Sequence, residues 1–285
     1  MKKLVALFLA ITVVFCFTSN AMATTVQNST TDSQVTAALN FLEQELKEIY
    51  TSSNEMACVE NIVGCYRGDA VFAEHFARDP EDALGMVATV VSTALGSLNV
   101  VQSRVADGNM YYAEGVPEYR QSRTNSCGAA SALQVIVQQG GADGIGGTTY
   151  TEKEETLMEE GLLDQNGSVY VYLVRDLINK YISGNTYAYI NATNLSYSNF
   201  YTLVMTSLTN DCPIILHAMT QYIGYYNSNV WGHYIVGTHL FSLTDQLVVN
   251  DCNYQDAYTG VHTISMTEAY NSIHSTSGRY LIYGT

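Results

Sequence analysis

Positive charge is scarce in this chain: 12 lysines and arginines stand against 27 aspartates and glutamates in 285 residues, a formal net charge of −15. Nucleic acid and anionic membrane surfaces require basic patches, so neither is an expected partner. Charge of either sign is sparse, at 14% of residues, while 47% are hydrophobic and 22 are tyrosine. A disordered, solvating chain has the opposite composition, so this length makes one large domain or two small ones with a real core. There is no internal repeat. No cysteine pair has the close spacing with histidines that a zinc site uses, so neither a metal nor another cofactor is expected. The glycine-rich loop Gly144 to Thr149 lacks the lysine and following helix of a phosphate cradle.

What is present begins with an export signature. Lys2 and Lys3 precede an apolar run from Leu4 to Phe17, and Ala21-Met22-Ala23 is a small-x-small cleavage site. The run is short for a spanning helix, and nothing later is long enough to replace it. Residues 1–23 therefore read as a signal peptide rather than an anchor, with a secreted mature chain starting near Thr24 and no membrane contact afterwards. Cys16 leaves with the signal. Five cysteines remain, Cys58, Cys65, Cys127, Cys212 and Cys252, an odd number that leaves at least one thiol over. Cys58 with Cys65, and Cys212 with Cys252, are conceivable pairs whose connectivity sequence does not fix.

Residues 24–36 are polar and read as a flexible start. Leu39, Leu42, Leu46 and Ile49 recur at helical steps between Thr36 and Tyr50, and a second, largely apolar helix is expected from Pro80 to Val105. Asp107-Gly108-Asn109 breaks the pattern. Helices follow at Cys127–Gln139, stopped by Gly140-Gly141, and near 170–182 and 198–209. From Pro213 the texture is strand-like: Ile214–His217, Tyr234–Thr238, Gln246–Asn250 and Arg279–Tyr283. Helices first and strands later predict an α+β fold with an antiparallel sheet.

One thiol has the surroundings of a nucleophile. A helix N-terminus and a neighbouring imidazolium lower a thiol pKa, and Cys127 opens a helix behind Asn125 and Ser126, either of which is a suitable cap. Gly128 leaves room for a carbonyl to approach the backbone. His233 starts a strand directly after the only tryptophan, Trp231, and suits a base; His217 and His239 read as structural. Asp251 ends the next strand, eighteen residues on, where it can orient the imidazole; Asn250 alternates to the other face. Gln121, six residues before Cys127, can supply an amide donor to an oxyanion beside the Cys127 N–H. The tyrosine-rich stretch Gln221 to Trp231 either lines a cleft or is an ordinary hairpin with exposed rings.

These segments carry a resemblance. Val116-Pro117-Glu118-Tyr119-Arg120-Gln121, then Asn125-Ser126-Cys127-Gly128-Ala129-Ala130-Ser131, resembles the active-site entry of papain-like cysteine peptidases, closest to the bacteriocin-leader (double-glycine) processing group. Gly232-His233-Tyr234 and the strand ending at Asp251 continue the pattern. The resemblance covers about Val116 to Thr285 and none of the first 115 residues. It implies a papain-like fold, with Cys127 as nucleophile, His233 as general base and acid, Asp251 as orienter and Gln121 as oxyanion donor. Two positions depart from it: Cys252 stands where proline is usual, and Gly128 where papain has tryptophan. No transporter is read in these residues, so double-glycine specificity is not expected to transfer.

The expectation is thus a secreted cysteine peptidase acting on a peptide or protein substrate. An amidase or transglutaminase-like acyl transferase would use the same constellation, and an inactive secreted binding protein would keep only the fold. The chain divides into the signal (1–23), a helical N-terminal region (24–115) and a peptidase-like domain (116–285). The N-terminal region is either a removable propeptide over the cleft or a fixed helical extension. It carries 4 basic and 13 acidic residues against 6 and 14 beyond it, so opposite charge does not hold the two together.

Overall fold

Leu39, Leu42 and Leu46 form a fully buried stripe on the first helix, α1 (Asp32–Ile49). The computed structural model describes residues 32–104, 110–162, 170–227 and 229–285. The expected signal, the polar segment up to residue 31 and the Asp107-Gly108-Asn109 break lie outside these. From Asp32 the supposedly flexible start is already helical. After α1 come α2 (Ser53–Gly64), α3 (Ala70–Arg78), α4 (Pro80–Arg104), β1 (Met110–Tyr112), α5 (Cys127–Gln138), α6 (Tyr150–Leu157) and α7 (Val171–Tyr181). The chain continues through β2 (Tyr187–Asn191), α8 (Tyr197–Thr209), β3 (Ile214–Met219), β4 (Gly232–Phe241), β5 (Gln246–Asp251), β6 (Gly260–Ser265), α9 (Met266–His274) and β7 (Tyr280–Gly284).

Local chemistry explains the helices that periodicity alone does not reveal. α2, α6 and α9 each begin with a reciprocal capping box, Ser52 with Glu55, Thr149 with Glu152, and Ser265 with Glu268. A helix does therefore follow the glycine-rich loop, contrary to expectation. No anion is needed there: the Glu152 carboxylate accepts from the N–H groups of Thr148 (2.7 Å) and Thr149 (2.9 Å). α4 opens on Pro80 with Glu81 and Asp82 in its first turn, as the helix dipole favours, and its middle is buried.

The strands form one antiparallel sheet in the order β2-β7-β3-β4-β5-β6, with β1 paired to the far end of β4. Gly237 makes the β3–β4 contact feasible, since a Cβ there would lie 2.6 Å from Ile214 Cγ1. The α+β, papain-like architecture is thus a mixed helical and antiparallel fold with a helical N-terminal region. α5 packs on β4 and α7, whereas α4 packs on α8 and β2. One continuous apolar core includes residues of α1–α4 and of the sheet. Polar ties reinforce it: Tyr66 donates to the Tyr189 carbonyl (2.7 Å) and Tyr280 to Asp69 (2.9 Å).

All five cysteines of the described residues are free thiols. Cys58 and Cys65 lie on α2 and its C-cap, and seven helical residues rise about 10 Å, beyond disulfide reach. Cys212 sits against Gly284 and Tyr187, while Cys252 packs near Ser131. Neither conceivable pair is made.

Candidate active site

The segment leading into α5 is held from several sides. Asn250 donates to the carbonyls of Val116 (3.3 Å) and Pro117 (3.5 Å), and the Gln121 N–H donates to the Cys252 carbonyl (2.7 Å). The buried Glu154 accepts from the Ser122 N–H (2.9 Å) and the Tyr119 hydroxyl. The segment then turns at 123–126 and enters the helix at Cys127, which is half-buried. Ser126 occupies the N-cap position but does not cap. Its φ and ψ of −100° and 16° depart from the extended conformation that capping uses, and its hydroxyl bonds the Arg123 N–H (3.1 Å) and carbonyl (3.0 Å) instead. The expectation of a side-chain cap from Asn125 or Ser126 is corrected: no side chain caps this helix.

β4 and β5 bring in the remaining groups. Val236 lies opposite Asn250, which places Asp251 diagonally across from His233 on the same face of the sheet. His233 Nε2 lies 2.7 Å from Asp251 Oδ1, with 5% and 2% of the two residues exposed. Burial alone would raise the Cys127 thiol. A hydrogen bond and the positive charge of His233, with the N–H groups of Tyr234 and Gly128, instead pull it below the usual thiol value. Burial would likewise depress His233, but the charge and hydrogen bond of Asp251, then the two thiols Cys127 and Cys252, hold it well above the ordinary histidine value. Burial would raise Asp251; His233 and the hydroxyls of Tyr226 and Tyr225 keep it lowered. The three groups thus shift one another in concert, the thiol lowered, the imidazole raised and the carboxyl lowered.

Gln121 is buried within this cluster. Its side-chain N–H donates to the Arg123 carbonyl (2.5 Å), and its Oε1 accepts from the Cys252 thiol (3.8 Å). An amide has two N–H donors, so one remains. Cys252 explains its own departure from the family pattern: the backbone carbonyl, which any residue supplies, positions Gln121. The side chain is sealed, 3.6 Å from Ser131 and 3.7 Å from the Cys127 and Tyr234 carbonyls, and burial pushes its thiol up.

Other residues belong elsewhere. Burial, then the neighbouring Arg279 charge, depress His217 to about 3, and its Nε2 faces Arg279 (2.5 Å). His239 stacks on Tyr112. The stretch from Gln221 to Trp231 is neither hairpin nor simple cleft wall: Tyr226 is fully buried, and Tyr225 and Tyr226 both donate to Asp251. These two tyrosines and Glu154 escape sequence reasoning because their partners lie far along the chain. His233, Asp251 and Cys252 are a group of possible metal donors within 4.8 Å of one another among the described residues. Both Asp251 oxygens are already engaged, Oδ1 by His233 and the Asn253 N–H and Oδ2 by the tyrosines, which fits a hydrogen-bonded relay better than a metal shell.

Comparison with known proteins agrees with the sequence resemblance. A model of the Peptidase_C39 like family matches residues 113–280, 168 of the 285 residues. No curated protein matches the chain.

Proposed function

The chain belongs to the Peptidase_C39 like family, and we propose that it is a secreted cysteine peptidase. The observation that carries this reading is the convergence of an uncapped helix-start thiol on a buried His–Asp pair. In the proposed mechanism the Cys127 thiolate attacks a peptide carbonyl. The Cys127 N–H at the start of α5 and the free N–H of Gln121 receive the oxyanion. His233 passes its proton to the leaving amine, and a thioester remains on Cys127. His233 then takes a proton from water, which attacks the thioester and frees the enzyme. Asp251 holds the imidazole and supports its charge throughout.

Export is proposed from Lys2, Lys3, the Leu4–Phe17 run and Ala21-Met22-Ala23; a mature N-terminus at Thr24 would confirm it. We also read residues 32–104 as a fixed extension. Their hydrogen bonds run to the β2 side of the fold, and none among the described residues joins them to Gln121, Cys127, His233 or Asp251.

The test is iodoacetamide labelling with mass mapping of the cysteines, alongside hydrolysis of a peptide library by the wild type and Cys127→Ala. Preferential labelling of Cys127 and cleavage lost in Cys127→Ala are expected. Labelling without cleavage of any peptide overturns the peptidase reading, and transfer of acyl groups to added amines would make the protein an acyl transferase.

A further inference from the structure

We propose that Tyr225 and Tyr226 are positioning residues that set how much of the Asp251 charge reaches His233. The proposal rests on the triad reading above. An Asp that only orients a histidine needs one well-placed oxygen, and Asp251 Oδ1 fills that role, with the Asn253 N–H donating to it at 2.9 Å. Oδ2 is remote from the histidine contact, yet it accepts two phenolic hydroxyls, from Tyr225 at 2.7 Å and Tyr226 at 2.5 Å. Burial first, and Asp251 itself, push both phenols far above the ordinary tyrosine value, so they remain neutral donors.

The backbone is shaped to deliver both rings to one atom. Sequential residues normally diverge, but Gly224–Tyr226 forms a 3-10 turn ending in a left-handed Asn227 at φ 50°. The turn is tied down by Gly224 N–H donating to Glu268 (2.9 Å) and by the Thr220 hydroxyl, which donates to the Asn229 carbonyl (2.7 Å) and accepts from the Trp231 N–H (2.9 Å). Tyr225 stacks on His262 and Tyr226 on Tyr258, and Asn253 donates to the Tyr226 hydroxyl (3.1 Å). Donors on a carboxylate disperse its charge, so these hydroxyls moderate the pull on the imidazolium. The other titratable or charged groups facing this cluster are Cys127 and Cys252 beside His233, His217 with Arg279 and Tyr234 beyond them, and His262, whose ring stacks on Tyr225.

The experiment uses the full chain and needs no substrate. Carboxymethylation of Cys127 by iodoacetate is followed against pH. The imidazolium attracts this anionic reagent, so the alkaline limb of the rate reports proton loss from His233. In Tyr225→Phe and in Tyr226→Phe, each retaining its ring, the alkaline limb is expected to rise by about half a pH unit, and by about one in the double variant. Tyr258→Phe is the control: its hydroxyl meets Asn229 (2.6 Å), so the limb should stay in place. An alkaline limb that is present but unmoved or lowered in both single variants overturns the proposal, and the two independent variants guard against one misfolding. If the wild type shows no such limb, the triad reading itself fails and takes this proposal with it.

Discussion

Two buried histidines in this protein each lie 2.7 Å from an aspartate oxygen, His75 from Asp82 and His233 from Asp251. Their surroundings differ in kind. His75 is closed on every side: its Nδ1 meets the Tyr189 hydroxyl at 3.0 Å, its ring stacks on Tyr172, and Arg175 shares Asp82 through Oδ1 (3.2 Å) and Oδ2 (2.6 Å). Burial would raise Asp82, but the His75 and Arg175 hydrogen bonds hold it low. This pair ties α3 and α4 to β2 and α7. His233 instead directs its second interaction to a half-buried thiol at a helix start, and its aspartate is served by neutral hydroxyls rather than a cation. A His–Asp contact is therefore no mark of catalysis. What sits on the far side of the imidazole decides between a joint and a relay.

Breaking each pair should separate the roles. The largest effect is expected from Cys127→Ala and His233→Ala, each lowering kcat/KM by about 10^3-fold or more, with the melting temperature close to wild type in Cys127→Ala. Kinetics on a peptide from the library screen and scanning calorimetry check both halves; retained activity in either variant would dissolve the contrast. Gln121→Ala should cost less, about 10^2-fold, because it removes one oxyanion donor while the Cys127 N–H stays. That loss belongs in kcat. A pure KM effect would move Gln121 from oxyanion donor to binding wall.

The contrast between the regions also explains what was legible in the sequence. Cys127, His233, Asp251 and Gln121 could be singled out because each has a local signature: a helix start, two strand ends, and a fixed interval. Strand alternation likewise separated Asn250 from Asp251, and Asn250 now holds the lead-in segment. Helices α2, α6 and α9 carried their signal in Ser52/Glu55, Thr149/Glu152 and Ser265/Glu268, but capping boxes are short and easily passed over beside apolar periodicity. The His75–Asp82–Arg175 joint and the Tyr225–Tyr226–Asp251 contact were not legible at all. Their partners are brought together only by tertiary packing, and neither tyrosine pairs nor lone arginines announce a partner.

The structural joint should reveal itself in stability rather than rate. His75→Leu keeps an apolar volume but strips partners from Tyr189 and Asp82, and is expected to destabilise the fold by about 2–3 kcal/mol. Urea unfolding measures this, and kcat/KM of the folded protein should stay within about twofold of wild type. A large rate loss without a stability loss would mean that His75 communicates with the site.

The smallest effect concerns the pH dependence of the His233 side. A histidine whose folded value is raised contributes stability below its unfolded value of about 6.5 and loses it as pH rises through the folded value. Cys127 titrates in the opposing sense, since its lowered folded value adds stability above the unfolded thiol value. The comparison is therefore cleanest in a Cys127→Ala background, where Asp251 still holds the imidazolium. Relative to Cys127→Ala/His233→Gln, the single variant should lose about 1 kcal/mol or more as pH rises above 6.5, because a tenfold gain in proton affinity on folding is worth about 1.4 kcal/mol. A difference that stays flat from pH 6 to 10 would mean that His233 carries no extra proton in the fold.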